Sequence, residues 1–135
     1  MQNSGWINDY DVGVQKFNEQ HMQLFTALKD IYKAMENKQD KKALQDVLNN
    51  LLRYCREHLA EEEACLLENG YPDFLEHKKQ HNFFINKMLQ FCEDFKDEKF
   101  TLHFDIAMFL KNWIIQHIMV VDKKYTSFLN SKGIH

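Results

Sequence analysis

The sequence predicts an all-α protein: an up-down-up-down four-helix bundle with an N-terminal arm and a short C-terminal helix or turn. Three observations carry that prediction. The 135-residue chain contains one proline and four glycines, too little punctuation for the many short turns of an all-β domain. Apolar residues recur at intervals of three and four through four long stretches, the period of one helix face. With 44% apolar and 27% charged residues, the chain is too apolar to stay disordered and has the size for one domain around one core.

The single domain divides into an arm over residues 1–16, a bundle over 17–122 and a C-terminal segment over 123–135. In the arm, Trp6, Tyr10, Val12 and Val14 are apolar but not helically spaced, and are expected to lie across the outside of the bundle. The first helix is expected to start near Asn18, a good N-cap, and to reach about Asn37, with Phe17, His21, Leu24, Leu28, Ile31 and Met35 on one stripe. Asp40 would cap a second helix that runs to Asn69 and stops at Gly70, the residue type favoured just past a helix end. Its inward stripe reads Leu44, Leu48, Leu51, Cys55, His58, Glu62 and Cys65.

Tyr71-Pro72-Asp73 opens the third helix, where proline suits the first turn because its missing N–H has no partner to lose. Phe74, His77, His81, Phe84, Met88, Phe91 and Phe95 then face one way. The fourth helix starts near Thr101 and passes Trp113 to about Asp122, with Ile106, Leu110, Trp113 and His117 inward. Tyr125, Phe128 and Leu129 predict one more short turn or helix.

Several function classes are disfavoured. Seventeen basic and twenty acidic residues, net charge −3, are interspersed without a basic stripe, so nucleic acid is not expected as a partner. No apolar run approaches the roughly 20 residues that span a bilayer, and the N-terminus lacks signal-peptide features, so no membrane association and a cytoplasmic location are expected. Met1 and the short tail suggest a free-standing protein. Cys55, Cys65 and Cys92 are odd in number and lack C-x-x-C spacing, so they are assigned to packing rather than to disulfides or zinc. His103 and His135 are expected to be exposed.

The chemistry lies in the remaining histidines. His77 and His81 are four apart, as are His58 and Glu62, while His117 and Asp122 are five apart and His21 stands alone on an apolar stripe. Residues four apart on a helix lie one turn above each other, so a bundle would bring all seven together inside its core. Burying five imidazoles and two carboxylates unpartnered would cost several kcal/mol per group; a metal centre removes that cost. Seven ligands exceed the four of a structural zinc site, and nitrogen-rich ligation does not suit calcium or magnesium. Two ions are implied. If two carboxylates and one oxygen bridge a six-coordinate pair, five histidines complete one ion and leave the other one ligand short, an arrangement that suits redox-active iron and a small ligand. A five-residue step rotates about 140° on an ideal helix, so the fourth helix is expected to loosen near Met119 to Val121, by a π-bulge or an early end.

This pattern of a lone histidine, H-x-x-x-E, H-x-x-x-H and H-x-x-x-x-D on successive helices resembles the hemerythrin family, in particular its bacteriohemerythrins. Val12-Gly13-Val14, Glu19-Gln20-His21, Gly70-Tyr71 and Trp113-Ile114-Ile115-Gln116-His117-Ile118 add to the likeness. The resemblance implies that His77, His81 and His117 bind the filled iron, His21 and His58 the open one, and that Glu62 and Asp122 bridge them beside an oxo or hydroxo group. It implies reversible dioxygen binding in a pocket formed by Leu24, Trp113, Ile114 and Ile118. These four are apolar and offer no general acid, which favours a carrier over an oxidase. Dioxygen is then the partner, an oxygen-consuming enzyme the recipient, and a monomer or weak homo-oligomer the expected state. Two other roles use the same fold: an oxygen or redox sensor, and a diiron oxidase, peroxidase or nitric oxide-consuming enzyme.

Overall fold

In the computed structural model, which describes residues 10–36 and 41–135, four long helices form an up-down-up-down bundle closed by a short fifth helix. Helix α1 is Gln15–Glu36. Helix α2 covers residues 41–68 as Lys41–Tyr54, a π-helical segment Cys55–Leu59, and Ala60–Glu68. Helix α3 is Phe74–Lys96. Helix α4 runs as Leu102–Trp113, widens to a π-helix over Ile114–Val121 and tightens to a 3-10 turn over Asp122–Tyr125, before α5, Thr126–Ser131. Helix α1 packs on α2 and α4, and α3 on α2 and α4, so the four stripes face one axis.

Local chemistry sets the helix boundaries. The first helix begins at Gln15, three residues before the expected N-cap. Asn18 lies inside its first turn: its Oδ1 accepts from the Val12 N–H at 2.9 Å and its Nδ2 donates to Asp11 Oδ1 at 2.7 Å. The side chain that could have capped the helix instead ties the arm back onto it. The described part of the arm is correspondingly not an outer strap. Val12 and Val14 are buried in the core, and Tyr10 stands edge-on to Phe25 at 4.9 Å. Trp6, Asn37 and the Asp40 cap lie outside the described residues.

Helix α2 stops as expected. Gly70 has φ +73°, its N–H bonds to Leu67 O at 3.1 Å and that of Tyr71 to Leu66 O at 2.9 Å, the paired bonds of a Schellman end. The turn after α3 is built in the same way, with Glu98 at φ +53° in the position glycine usually takes. Pro72 sits two residues before α3 rather than in its first turn, and Asp73 is the N-cap residue.

Two stripes differ from expectation for one reason. In α2 the buried residues from Leu51 onward are Leu51, Tyr54, His58, Leu59, Glu62 and Leu66, and Cys55 and Cys65 are half-buried at its flanks. Successive steps of four would drift by about 40° each on an ideal α-helix; the π segment Cys55–Leu59 absorbs that drift by widening the turn. Tyr54 replaces Cys55 on the inside. In α4 the same device is longer than expected, beginning at Ile114 rather than near Met119. His103, expected at the surface, is only 5% exposed, because it lies three and four residues before Ile106 and Ala107 and shares their inward stripe. His135 is exposed.

Residues 102–131 form one continuous helical run that is long and apolar enough to cross a membrane by length and composition alone. The bundle accounts for that apolarity: Ile106, Leu110, Trp113, Ile114 and Ile118 are buried against the other helices.

Candidate metal centre

Each long helix delivers polar side chains to one level of the core. His58 and Glu62 project from consecutive turns of α2, His77 and His81 from consecutive turns of α3, and His21 from α1. In α4 the Asp122 N–H bonds to His117 O, an i→i+5 closure that brings two residues five apart onto one face. All seven side chains are buried.

The two carboxylates organise the cluster. Glu62 Oε1 lies 2.6 Å from His77 Nε2 and 3.0 Å from His81 Nε2, while its Oε2 lies 3.4 Å from His58 Nε2 and 3.7 Å from His21 Nε2. Asp122 repeats the division: Oδ1 is 2.9 Å from His117 Nε2 and 3.1 Å from His77 Nε2, and Oδ2 is 3.1 Å from His21 Nε2. Each carboxylate therefore turns one oxygen to the trio His77, His81 and His117 and the other to the His21 side. One ligand atom from each of Glu62, His77, His81, His117 and Asp122 falls within 4.8 Å of the others, and so do those of His21, His58 and Glu62.

A second layer fixes the rings. His58 Nδ1 meets Gln20 Oε1, His81 Nδ1 meets Glu63 Oε2 at 2.8 Å, and His117 Nδ1 meets Gln80 Oε1 at 3.0 Å. An oxygen facing Nδ1 accepts from an N–H there, which fixes the ring proton on Nδ1 and leaves the Nε2 lone pair pointing inward. The pattern is regular: a polar residue beside a ligand on one helix holds the ligand of the next, from α1 to α2, α2 to α3 and α3 to α4. The circuit stops at His21, whose Nδ1 has no hydrogen-bond partner among the described residues. Tyr125 adds a hydroxyl that donates to Glu62 Oε2 at 2.9 Å, and Trp113 stacks on His117 with centroids 4.0 Å apart and planes at 11°.

These residues fit a metal. His21, His58, His81 and His117 each bury an Nε2 without a hydrogen bond, and Asp122 Oδ1 is likewise unpaired; their close approaches to the carboxylate oxygens lack hydrogen-bond geometry. Buried lone pairs left so are costly unless a cation receives them. Without metal, protons serve instead. Burial presses both carboxyls upward, yet neighbouring imidazoles hold Glu62 and Asp122 well below the ordinary carboxylate range. Burial presses His21 and His77 downward, but the facing carboxylates of Asp122 and Glu62 outweigh it and raise them to about 9 and about 10. His58, by contrast, is lowered by burial. The donor set, mostly imidazole with shared carboxylates, suits first-row transition metals.

The profile of the hemerythrin HHE cation binding domain matches residues 12–129. The chain belongs to the hemerythrin family. It is 29% identical over 128 residues to a bacteriohemerythrin of Clostridium acetobutylicum, covering 89% of this chain and 96% of that one. It is 28% identical over 120 residues to a myohemerythrin of Theromyzon tessulatum, covering 89% and 88%. The fold matches a crystal structure of wild-type hemerythrin with a TM-score of 0.71 at 21% identity, over 86% of this chain and 88% of that one. The protein is thus a hemerythrin-fold bundle whose buried His/Glu/Asp cluster is consistent with a diiron, oxygen-binding site.

Leu24, Trp113, Ile114 and Ile118, read from the sequence as the oxygen pocket, are all buried. The sequence reading gives no role at the centre to Gln20, Glu63, Gln80 or Tyr125, nor to Tyr54, whose ring lies 4.8 Å from that of His58. A usable signal existed for three of them: each of Gln20, Glu63 and Gln80 is a polar residue directly beside a ligand, set about 100° round the helix toward the neighbouring one. Tyr54 and Tyr125 carry no such local mark.

Proposed function

We propose that the protein binds dioxygen reversibly at a non-haem diiron centre. In this reading His77, His81 and His117 hold one iron, His21 and His58 the other, and Glu62 and Asp122 bridge them together with an oxo or hydroxo group. The observation that supports it most directly is the division of both carboxylates, each offering one oxygen to the histidine trio and one to the His21 side. The bound pair would supply the electrons and the open position that take up and release the gas. The chain's own part is to orient and to exclude. Gln20, Glu63 and Gln80 hold the imidazole tautomers, Tyr125 holds Glu62, and Leu24, Ile114 and Ile118 keep water out without offering a proton. A carrier needs those conditions, since protonation and hydration promote loss of reduced oxygen. The oxygen would pass to an oxygen-consuming enzyme, from a cytoplasmic monomer or weak homo-oligomer.

The experiment is anaerobic loading with ferrous iron, followed by absorption spectra in air and again after degassing. A charge-transfer band that appears with oxygen and vanishes under vacuum over repeated cycles supports the carrier. Irreversible oxidation in the first cycle refutes it. A sensor role draws on one further feature: Tyr125 contacts Glu62, and the next residue, Thr126, donates to Val12 O at 2.7 Å, linking the centre to the arm. A change in protease cutting of the arm on oxygenation would favour the sensor, and unchanged cutting the carrier.

A further inference from the structure

A groove of about 520 Å³ opens between α3 and α4 beside His117. Its aromatic lining forms a series. Phe83, 60% exposed, lies 5.9 Å from Phe109; Phe109 lies 6.2 Å from Trp113 with planes at 22°; and Trp113 lies 4.0 Å from His117 at 11°. Four rings thus run from solvent to a side chain of the candidate metal centre. The rim is rich in carboxamides, from Gln80, Asn112 and Gln116, with one charge of each sign from Lys79 and Glu76. Gln80 is also the residue that holds His117 Nδ1.

The dimensions and lining are those of a small-molecule site, a concavity of a few hundred Å³ with aromatic walls and a few polar groups. Aromatic walls select a flat π-system through offset stacking. Carboxamides both donate and accept, so they match a ring whose edge alternates N–H and C=O better than they match a hydrocarbon or a strongly charged ligand. The geometry points to a binding site for a planar redox heterocycle of the flavin class, seated on Phe83 and Phe109 in line with Trp113 and His117.

Its use rests on the diiron reading. An oxygen-binding pair that has been left ferric no longer takes up the gas and must be reduced. A flavin hydroquinone in the groove would lose two electrons and two protons to become the quinone. Each ferric ion would take one electron and the protons would leave to solvent; no other reactant is required. The groove places the donor ring next to the series of rings that ends at His117.

The test separates site from use. Metal-free protein is titrated with oxidised flavin mononucleotide while the quenching of flavin fluorescence is followed. Saturable one-to-one quenching is expected, weakened about five-fold by Phe83→Ala, the loss of one stacked ring. Both Phe83 and Gln116 are exposed, so Phe83→Ala and Gln116→Ala should keep the parent's helical circular dichroism. In iron-loaded, air-oxidised protein, Phe83→Ala should slow anaerobic reduction by reduced flavin mononucleotide by a similar factor and leave reduction by dithionite unchanged. Absent quenching, or quenching that neither variant weakens, overturns the site. Equal reduction rates in parent and Phe83→Ala overturn the electron-entry role. Flavin binding in a protein that takes up no iron would sustain the site while removing the diiron reading.

Discussion

The hydroxyl of Tyr125 gives the sharpest test of how the polar core is held. It donates to Glu62 Oε2 at 2.9 Å, both residues have no exposed surface, and the two imidazoles near that oxygen stand 3.4 and 3.7 Å away. Tyr125→Phe keeps the ring and its edge contacts with Phe17 and Tyr71 and removes only the donor. A hydrogen bond to a buried charge contributes about 1.5–3 kcal/mol, and in a chain of this size each kcal/mol moves the melting midpoint by about 3–5 °C. The metal-free variant should therefore melt about 10 °C below the parent. Once metal is bound its charge satisfies Glu62, so the loss should fall to less than half. Thermal unfolding followed by circular dichroism, with and without iron, measures both numbers. A metal-free variant that melts within about 1 °C of the parent would refute the reasoning, as would an equal loss in both forms.

The remaining predictions address neighbouring claims. In metal-free protein the raised pKa values of His21 and His77 stabilise the fold fully below about 6.5, and that contribution is lost as pH rises through about 9 to 10; urea midpoints should fall across this window in metal-free protein and stay level when it is loaded. Because His21 Nδ1 lacks the partner its counterparts have, a chelator should remove metal in two phases about ten-fold or more apart, the His21 and His58 side first; one uniform phase would contradict this. Gly13→Ala drives a Cβ to 2.4 Å from Thr126 Cγ2 at φ +75°, whereas Gly70→Ala meets nothing within 4 Å at φ +73°. The first should cost about 2 kcal/mol or more and the second about 1 in denaturant titrations. Ile118→Ser should leave iron content unchanged and speed autoxidation, and an unchanged rate would remove Ile118 from the pocket.

Much of this architecture was legible from periodicity and spacing. The four helices, the end of α2 at Gly70 and the convergence of seven polar side chains all follow from patterns within a few turns of chain. The five-residue step from His117 to Asp122 even required a loosened helix, and a π segment is present. What escaped was non-local or competitive. Asn18 has the chemistry of an N-cap but spends it on Val12 and Asp11, a choice set by where the arm docks. The place of His103 near the start of the fourth helix suggests exposure, although its place three residues before Ile106 puts it on the buried stripe. The π turn in α2 has no signature in composition, so the stripe read from the sequence carries Cys55 where Tyr54 stands. Tyr125 reaches Glu62 across 63 residues of sequence, a distance no local pattern encodes.

The central claim is that the seven buried side chains hold two metal ions together. It is tested most directly by counting iron in protein loaded anaerobically with ferrous ion and freed of excess metal, in parallel with His77→Ala. The parent should carry two irons per chain, and the variant fewer, because His77 Nε2 lies against both Glu62 and Asp122. One iron or none in the parent, or two retained in the variant, would contradict the account.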